Sequence, residues 1–296
     1  MNLNHLRHFY TVVNQGSFSA ASDVLFVSQP AVSKSVIELE NYFGVALLSR
    51  STKGRKMQLT HEGRRLFEYA RSLFAIERSA IADMQALKDL QDGTLRLGVT
   101  PTIANYWLAP YIQSFKQMYP NVMISIQVAS TPEISNALID YDIDLGLIEG
   151  GYVSDPLLKT SHWQDEKMIF LAAAKTGKAL TMSRTDMNKA VWILREKGSM
   201  TRNVVDRLLT QNQITPTQII EIGSNEAIAK HVAAGLGISL LPYATVADLI
   251  ELHQVSQITL KGAKALQRPL LILDHPDDNL HSFTARTFLA LLTRHN

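Results

Sequence analysis

Apolar side chains recur at helical spacing through the first 43 residues. Their pattern predicts one amphipathic helix over residues 1–14 and two shorter helices between residues 17 and 43. The inward positions are Leu3, Leu6, Phe9, Val13, Phe18, Ala21, Leu25, Val32, Val36, Leu39 and Phe43. Three helices with such faces can enclose one small core.

A very short connection joins the second and third helices. Ser28 is placed to cap the third helix with its side-chain oxygen, and Pro30 falls in the first turn, where a missing N–H costs nothing. Ala20 and Ala21 are small enough for a crossing helix to approach closely. This pattern is typical of a helix-turn-helix.

The outward face of the third helix is mostly polar, where a recognition helix meets base edges and phosphates. Its positions are Gln29, Ser33, Lys34 and Ile37. The alternative is a solvated face on an ordinary helical hairpin. The next segment favours DNA binding, because it is a basic turn between two short apolar stretches and contains no acidic residue. The cations of this turn are Arg50, Lys53, Arg55 and Lys56.

Length and composition limit the class of protein. The chain has 296 residues, 46% of them hydrophobic, which indicates two or three domains. Without cysteine, disulfides, thiolate metal sites and a cysteine nucleophile are excluded. We expect a cytoplasmic protein without a membrane partner, because neither a signal-peptide pattern nor a run of about 18 apolar residues occurs. The formal net charge is +2, and the basic excess lies in the first 90 residues.

From Thr60 a helical pattern continues to about residue 90 without proline. Its apolar positions follow alternating steps of three and four, apart from Glu77, and they are Leu66, Ala70, Leu73, Ala80, Met84 and Leu87. Such a helix would be about 45 Å long and needs a surface to cover this seam. We therefore expect a homodimer through residues 60–90. The alternative is packing against the N-terminal domain of the same chain.

From residue 94 on, short apolar runs alternate with helical segments, among them a single helix predicted over residues 103–118. This alternation predicts parallel sheets with helices on both faces, and the length suffices for two α/β lobes.

Ligands of open α/β sheets bind where strands lead into helix N-termini. Four such junctions carry small hydroxyl or amide side chains, at residues 100–102, 130–131, 199–201 and 224–225. Free amides and positive helix ends suit a small anion, and Arg202 would add a bidentate contact. The alternatives are that these side chains only cap helices, that Arg202 forms a surface ion pair, and that Arg195 pairs with Glu149.

Catalytic and metal-binding patterns do not occur in the sequence. No nucleophile elbow, P-loop or HExxH motif is found, and the GLG fragment at residues 235–237 lacks a dinucleotide-binding context. The histidines lack metal-ligand spacing. We therefore expect neither enzyme activity nor a metal or cofactor.

The stretch SFSAASDVLFVSQPAVSKSVIELENYFGVALLSRSTKGRKMQLTHEG closely resembles the signature of LysR-type transcriptional regulators, and the rest of the chain is similar to the family in pattern. The resemblance implies a multi-domain α/β protein that assembles as a homotetramer. A winged helix-turn-helix domain would span residues 1–59 and a dimerising linker helix residues 60–90. A two-lobed effector domain similar to periplasmic binding proteins would span 91–296. Lobe I would comprise 91–162 and 268–296, and lobe II 163–267.

The resemblance also implies site residues. By this resemblance, contacts with double-stranded DNA would come from Gln29, Pro30, Ser33, Lys34 and Arg50. The positions of the third helix and of the basic turn add Ser28, Ile37, Lys53 and Arg55 as predicted contacts. Contacts with a small-molecule effector would come from Thr100, Thr102, Ser130, Ser199, Thr201, Arg202 and Ser224. Ile37 stands where relatives often carry a basic or polar residue, and it would touch a thymine methyl group.

The segments GLIEG and REKGSMTR, at residues 146–150 and 195–202, are similar to a subgroup that includes regulators of sulfur assimilation and carbon fixation. A small oxyanion such as sulfite or sulfate is therefore the leading effector hypothesis, and small organic acids are the alternative. Two rival classes are disfavoured. A solute-binding protein would leave the DNA-reading head unexplained, and an enzyme would need converging acid, base or nucleophile groups.

Overall fold

The computed structural model describes residues 1–49, 58–89, 93–151, 153–174, 180–260, 262–263, 266–277 and 281–294. These residues form two compact units, 1–81 and 82–296. The predicted DNA contacts Arg50, Lys53 and Arg55 lie outside the described residues.

The first unit contains the three predicted helices around one core. They are α1 (Leu3–Gln15), α2 (Phe18–Leu25) and α3 (Gln29–Phe43). Side chains from all three helices are fully buried, among them Phe9, Ala21 and Val32. Burial of a large apolar side chain stabilises a fold by about 1.5–3 kcal/mol. The periodic apolar positions therefore account for the head.

The corner between α2 and α3 differs in one detail from the prediction. Ser28 precedes α3 in extended conformation, but its side chain makes no capping hydrogen bond. Its carbonyl oxygen instead accepts from the amides of Ala31 and Val32. Pro30 lies in the first turn of α3 as predicted. Its missing N–H is one of the amides that a helix start leaves without an intrahelical partner.

A two-stranded hairpin and a long helix complete the head. Strands β1 (Leu48–Ser49) and β2 (Gln58–Leu59) pair antiparallel, and α4 spans His61–Asp89. Thr60 caps α4, because its hydroxyl oxygen accepts from the Gly63 amide at 2.9 Å. A Cβ atom at Gly63 would lie 2.0 Å from the Leu47 carbonyl oxygen. Glycine is therefore required where α4 crosses the hairpin.

The first half of α4 packs against its own head, which was the alternative to the predicted dimer seam. Ala70 and Phe74 are buried in the head core, and Leu66 and Leu73 pack at its edge. The expectation that this seam as a whole faces a second copy is therefore wrong for its first half. Among the α4 side chains that the structure describes, the large apolar ones left exposed are Tyr69, Ile76, Ile81 and Met84.

The second unit begins with an α/β lobe, here called lobe I. Its strands are β3 (Thr94–Val99), β4 (Met123–Val128), β5 (Leu145–Glu149), the first part of β6 (Lys159–Ala173) and β12 (Gln267–Asp274). Its helices are α5 (Pro101–Tyr106), α6 (Ala109–Met118), α7 (Thr131–Ile139) and α12 (Phe283–Thr293). The single helix predicted over residues 103–118 is two helices. Pro110 lies in the first turn of α6, a position that suits proline, whereas the interior of a continuous helix does not.

Lobe II follows the same principle. Its strands are the rest of β6 with β7 (Leu180–Met182), β8 (Val191–Leu194), β9 (Gln218–Glu221), β10 (Ser239–Pro242) and β11 (Val255–Leu260). Its helices are α8 (Arg184–Lys189), α9 (Met200–Gln211), α10 (Asn225–Ala233) and α11 (Tyr243–Glu251). In both lobes buried side chains form two clusters, so helices cover both faces of the strands as predicted.

The sheet is mixed, and this corrects the prediction of purely parallel sheets. Strands β3, β4 and β5 are parallel to one another, but β12 pairs antiparallel with both β5 and β6, and β6 pairs antiparallel with β10 and β11. Long antiparallel strands that cross between lobes leave no local alternation with helices, so the pattern did not reveal them.

The lobes meet where β6 changes partners. Residues through Lys167 pair with β12, and Met168 is the first to pair with β10. Trp163 is buried in the core of lobe I. The predicted boundary between residues 162 and 163 therefore lies about five residues before the change of partners, because the sequence does not show how long β6 and β12 remain paired.

No helix in the described part of the chain is long and apolar enough to cross a lipid bilayer.

Phe26 ends α2 in a conformation that disfavours its side chain. It has φ 55° and ψ 39°, and 96% of its surface is exposed. A left-handed backbone costs a non-glycine residue about 1–2 kcal/mol, and asparagine tolerates it better. We expect Phe26→Asn to raise the free energy of unfolding of the head by about 1 kcal/mol, measured by scanning calorimetry.

Val24→Asn is the matched control, because Val24 is also exposed but lies within the helix α2. Asparagine forms helices no better than valine does, so this substitution is not expected to stabilise the head. Equal effects of both substitutions would show that the backbone of Phe26 is not strained.

Candidate functional site

Helix α3, the predicted recognition helix, presents the predicted polar face. Gln29, Pro30, Lys34 and Ile37 are exposed, and Ser33 is half-buried, whereas the opposite face of α3 lies in the head core. The Lys34 side chain is 79% exposed and approaches Glu38, one turn later, at 3.7 Å. A weak, exposed ion pair leaves this ammonium group available for phosphates.

Within the second unit, a cavity of about 240 Å³ lies between the two lobes. Lobe I contributes the ends of β3 and β5 and the start of α7. Lobe II contributes the loop before α9 and its first turn. The lining residues are Thr100, Pro101, Ser130, Thr131, Pro132, Glu149, Arg195, Glu196, Lys197, Gly198, Ser199, Met200 and Thr201. Strand ends and helix starts therefore meet here, as the predicted α/β pattern requires.

Hydroxyl groups line the cavity from both lobes. Ser199 caps α9, because its hydroxyl oxygen accepts from the Arg202 amide at 3.3 Å. Thr100 donates to Glu149. The Thr131 hydroxyl is buried and has no hydrogen-bond partner within the described part of the chain. A buried polar group without a partner is costly, which marks Thr131 as a candidate ligand contact.

Charged groups of both signs stand on the cavity wall. Arg195 donates two hydrogen bonds of 2.8 Å to Glu196, which raise the pKa of the guanidinium and lower the pKa of the Glu196 carboxyl below its ordinary value. Lys197 is exposed and forms no ion pair with any described residue. Lys197 is therefore the wall cation best able to meet an anion.

The start of α7 already holds one carboxylate. Glu133 accepts from the Ser130 amide at 2.9 Å and from the Ser130 hydroxyl at 2.6 Å. The hydrogen bond from the Ser130 hydroxyl is the main cause that lowers the pKa of Glu133. Ser130 therefore serves as part of a capping box, as the capping alternative foresaw.

The structure brings only part of the predicted effector set together. Thr100, Ser130, Ser199 and Thr201 line the cavity, whereas Thr102, Arg202 and Ser224 do not. Sequence reasoning left out Thr131, Glu149, Arg195 and Lys197 as effector contacts. The signal for them was present, since Thr131 follows Ser130 at a named junction and the others end or follow strands.

Arg202 turns away from the cavity, so its predicted role as an anion contact is not supported. Its guanidinium pairs with Asp206 at 2.9 Å and Glu221 at 3.2 Å, and it also donates to the Arg195 carbonyl oxygen at 2.8 Å. These partners occupy the fork that a bidentate anion would need. The alternative of an ion pair agrees with these partners, although the Arg202 side chain itself is buried and does not lie on the surface.

Thr102 and Ser224 belong to a polar contact between the lobes. Asn225 donates to the Thr102 hydroxyl at 3.3 Å. Glu226 accepts from the Ser224 hydroxyl at 2.7 Å and from Tyr106 at 3.3 Å. Burial, and next the charge of Glu226, raise the pKa of Tyr106 to about 12. The first turns of α5 and α10 are therefore joined directly.

Among the described residues, no group of three or more His, Cys, Asp or Glu side chains is placed to hold a metal ion.

A helix-turn-helix head and a two-lobed domain with a polar cavity together define a DNA-binding regulator with an effector domain. Residues 3–64 match the family model described as "Bacterial regulatory helix-turn-helix protein, lysR family", and residues 88–296 match the one described as "LysR substrate binding domain". The chain belongs to the LysR family of transcriptional regulators.

Curated relatives cover nearly the whole chain. The chain is 31% identical to the transcriptional regulator YeiE of Escherichia coli, over 98% of this chain and 96% of YeiE. It is 31% identical to a probable RuBisCO transcriptional regulator of Synechocystis, over 93% of this chain and 81% of that one. It is 30% identical to the transcriptional regulator CysL of Bacillus subtilis, over 92% and 90%. Relatives in the predicted subgroup are thus named as transcriptional regulators.

Solved structures share the fold. Full-length OxyR from Pseudomonas aeruginosa matches with a TM-score of 0.72 at 24% identity, over 99% of this chain and 93% of that chain. Full-length CbnR complexed with its target DNA matches with a TM-score of 0.64 at 20% identity, over 100% of both chains. The regulatory domain of Synechocystis CcmR in complex with 2-PG matches with a TM-score of 0.58 at 24% identity, over 68% and 96%.

Thr131→Val tests whether the hydroxyl serves a ligand. Valine has a similar shape and removes a buried group without a partner, so the ligand-free protein should be as stable as the wild type or more stable by about 1 kcal/mol. Chemical denaturation of the ligand-free protein measures this change.

Thr100→Val is the matched control on the same wall. The Thr100 hydroxyl has a partner in Glu149, so its removal should lower the free energy of unfolding by about 1–3 kcal/mol. A similar loss in Thr131→Val would contradict the reading of Thr131 as a group that awaits a ligand.

Proposed function

We propose that this LysR-type regulator responds to a small anion that binds in the cavity between the lobes. A small oxyanion such as sulfite or sulfate is the leading candidate. Thr131 is the observation that carries the proposal: its buried hydroxyl, at the first turn of α7, has no partner within the described residues. The start of α9 and the exposed Lys197 face the same space, and helix starts and cations both attract anions.

A small organic acid is the second candidate, and the cavity volume favours it. One water needs about 10–15 Å³ of such space, so about 240 Å³ leaves room for more than a bare oxyanion. A relative solved with a bound small molecule supports an effector in this domain, since the regulatory domain of Synechocystis CcmR was solved in complex with 2-PG.

The proposed mechanism couples the cavity to DNA through assembly. The effector would stabilise one arrangement of the lobes, which alters the geometry of a homotetramer and thereby the bend or spacing of bound DNA. Pairing of two chains would use the side of α4 that exposes Tyr69, Ile76 and Ile81. The DNA contacts would be those predicted for α3 and for the basic turn. This function places the protein in the cytoplasm and requires no catalysis.

An anion screen tests the effector. A ligand selective for the native state stabilises it by about 2.7 kcal/mol at 100 times its Kd. We expect sulfite, sulfate or 2-PG to raise the melting temperature of the full-length wild type, and to do so less for Thr131→Val.

Chloride at equal ionic strength is the control. If sulfite, sulfate and 2-PG raise the melting temperature no more than chloride does, the proposed anionic effector is wrong. If they act equally on wild type and Thr131→Val, the effector does not contact this hydroxyl.

Lys34→Ala tests the recognition helix. Duplexes selected by the wild type from a randomised pool serve as the probe. Loss of one phosphate contact should weaken binding and reduce the slope of log affinity against log salt by about 1. Binding by fluorescence anisotropy over a salt series measures both quantities.

Lys189→Ala is the control, because Lys189 is an exposed cation on α8 of lobe II. It should bind the selected duplexes with the affinity and salt slope of the wild type. Wild-type behaviour of Lys34→Ala would exclude Lys34 from the DNA contacts.

A further inference from the structure

A buried charge cluster lies where the two crossing strands connect the lobes. Arg268 on β12 and Glu166 on β6 face each other in the strand register, and their solvent exposures are 0% and 1%. The Arg268 Nε donates to Glu166 at 2.6 Å. Trp107, at the end of α5, donates to the other oxygen of Glu166 at 2.9 Å. The cluster is therefore anchored in both crossing strands.

The same guanidinium reaches two residues that line the cavity. Its Nη1 donates to the Thr201 hydroxyl of lobe II at 3.0 Å and lies 3.5 Å from a carboxylate oxygen of Glu149 in lobe I. Arg268 does not itself line the cavity. Arg268 therefore contacts one cavity-lining residue from each lobe, Thr201 and Glu149, without lining the cavity itself.

One nitrogen of the Arg268 guanidinium forms no hydrogen bond with a described residue. Its Nη2 is buried and has no hydrogen-bond partner in the described part of the chain. Buried charged groups normally satisfy all their polar atoms or coordinate a ligand. The hydrogen-bond donors of Arg268 are thus not all used, as they would be in a purely structural ion pair.

The cluster decides whether the cavity suits an anion. Glu149 stands on the cavity wall, where an unpaired carboxylate would repel a bound anion. Arg268 is its cationic partner. Across the wall and the cluster beneath it, three cations stand against three carboxylates: Arg195, Lys197 and Arg268 against Glu149, Glu166 and Glu196.

We infer that Arg268 is a positioning residue of the effector site, which neutralises Glu149 and fixes Thr201 so that a small anion can bind between the lobes. The inference rests on the proposed function for the identity of the ligand. Its geometric part, the tie between Arg268 and the first turn of α9, is independent of any ligand.

Sulfite, sulfate and 2-PG are the probes of the electrostatic part, in calorimetric titrations of full-length protein. Arg268→Met should lose at least tenfold in affinity, because Glu149 remains without its cation. The double variant Glu149→Gln/Arg268→Met should recover most of that loss, since the repelling charge is gone. A double variant as weak as Arg268→Met would overturn the electrostatic role.

Arg96→Met is the matched control. Arg96 is an exposed arginine of β3 that lies 3.9 Å from Asp144, remote in the register from the cluster. It should bind the probes as the wild type does. An equal loss in Arg96→Met would attribute the effect to net charge alone and would overturn the inference.

Hydrogen exchange tests the tie to α9 without any ligand. Thr201→Val removes the acceptor of Arg268 and should speed amide exchange in residues 199–204, whereas Thr201→Ser keeps a hydroxyl and should restore slow exchange. Residues 3–43 should be unaffected. Wild-type exchange in Thr201→Val would overturn the positioning role.

The titrations and the hydrogen-exchange comparison distinguish failure of the proposed anionic effector from failure of the positioning role of Arg268. If no probe binds the wild type, the proposed anionic effector fails, and the exchange comparison still decides whether Arg268 positions α9. If Arg268→Met does not fold, the Thr201 variants carry the test, because they leave both ion pairs of Arg268 intact.

Discussion

The antiparallel pairing of β6 with β12 is the constraint on which the effector domain depends. These two strands are the connections between the lobes, and their register places Glu166 opposite Arg268 at the junction. Both side chains are buried, so neither charge can remain without the other. The ends of β3 and β5 and the start of α9 are positioned around this pair, and the cavity exists because those three elements meet.

Two kinds of contact hold the lobes in the arrangement seen here. At the junction, Arg268 binds residues of both lobes. Between α5 and α10, neutral and charged groups meet through Thr102, Asn225, Tyr106 and Glu226. Within the second set, the bond from Tyr106 to Glu226 is only partly buried and, at 3.3 Å, longer than the bond of 2.6 Å from Arg268 to Glu166, and it is therefore weaker. Any change of lobe geometry is expected to begin at the α5–α10 contact, with the strand pair acting as the fixed point.

Local patterns predicted the head well and the site only in part. Helices α1 to α4 follow from apolar spacing, and Thr60 from its capping position. Arg202 was predicted as an anion contact from its place in a first helical turn, but such a place does not determine where a side chain points, and its guanidinium pairs with Asp206 and Glu221. Asp206, one turn later in α9, is an acidic residue that could have been expected to form an ion pair with Arg202. The sequence could not predict Arg268 as a residue of the site, because its partner Glu166 lies 102 residues away in the chain and no local pattern indicates such a pair.

The hydrogen bond from Trp107 to Glu166 has a practical consequence. The chain contains three tryptophans, and Trp163 and Trp192 are enclosed in the cores of the lobes. Trp107 alone among them donates its indole N–H to the charge cluster, at the carboxylate of Glu166. Indole emission depends on nearby charge and on hydration. The protein therefore carries an intrinsic fluorophore at the joint of its lobes, which can report their movement without an attached dye.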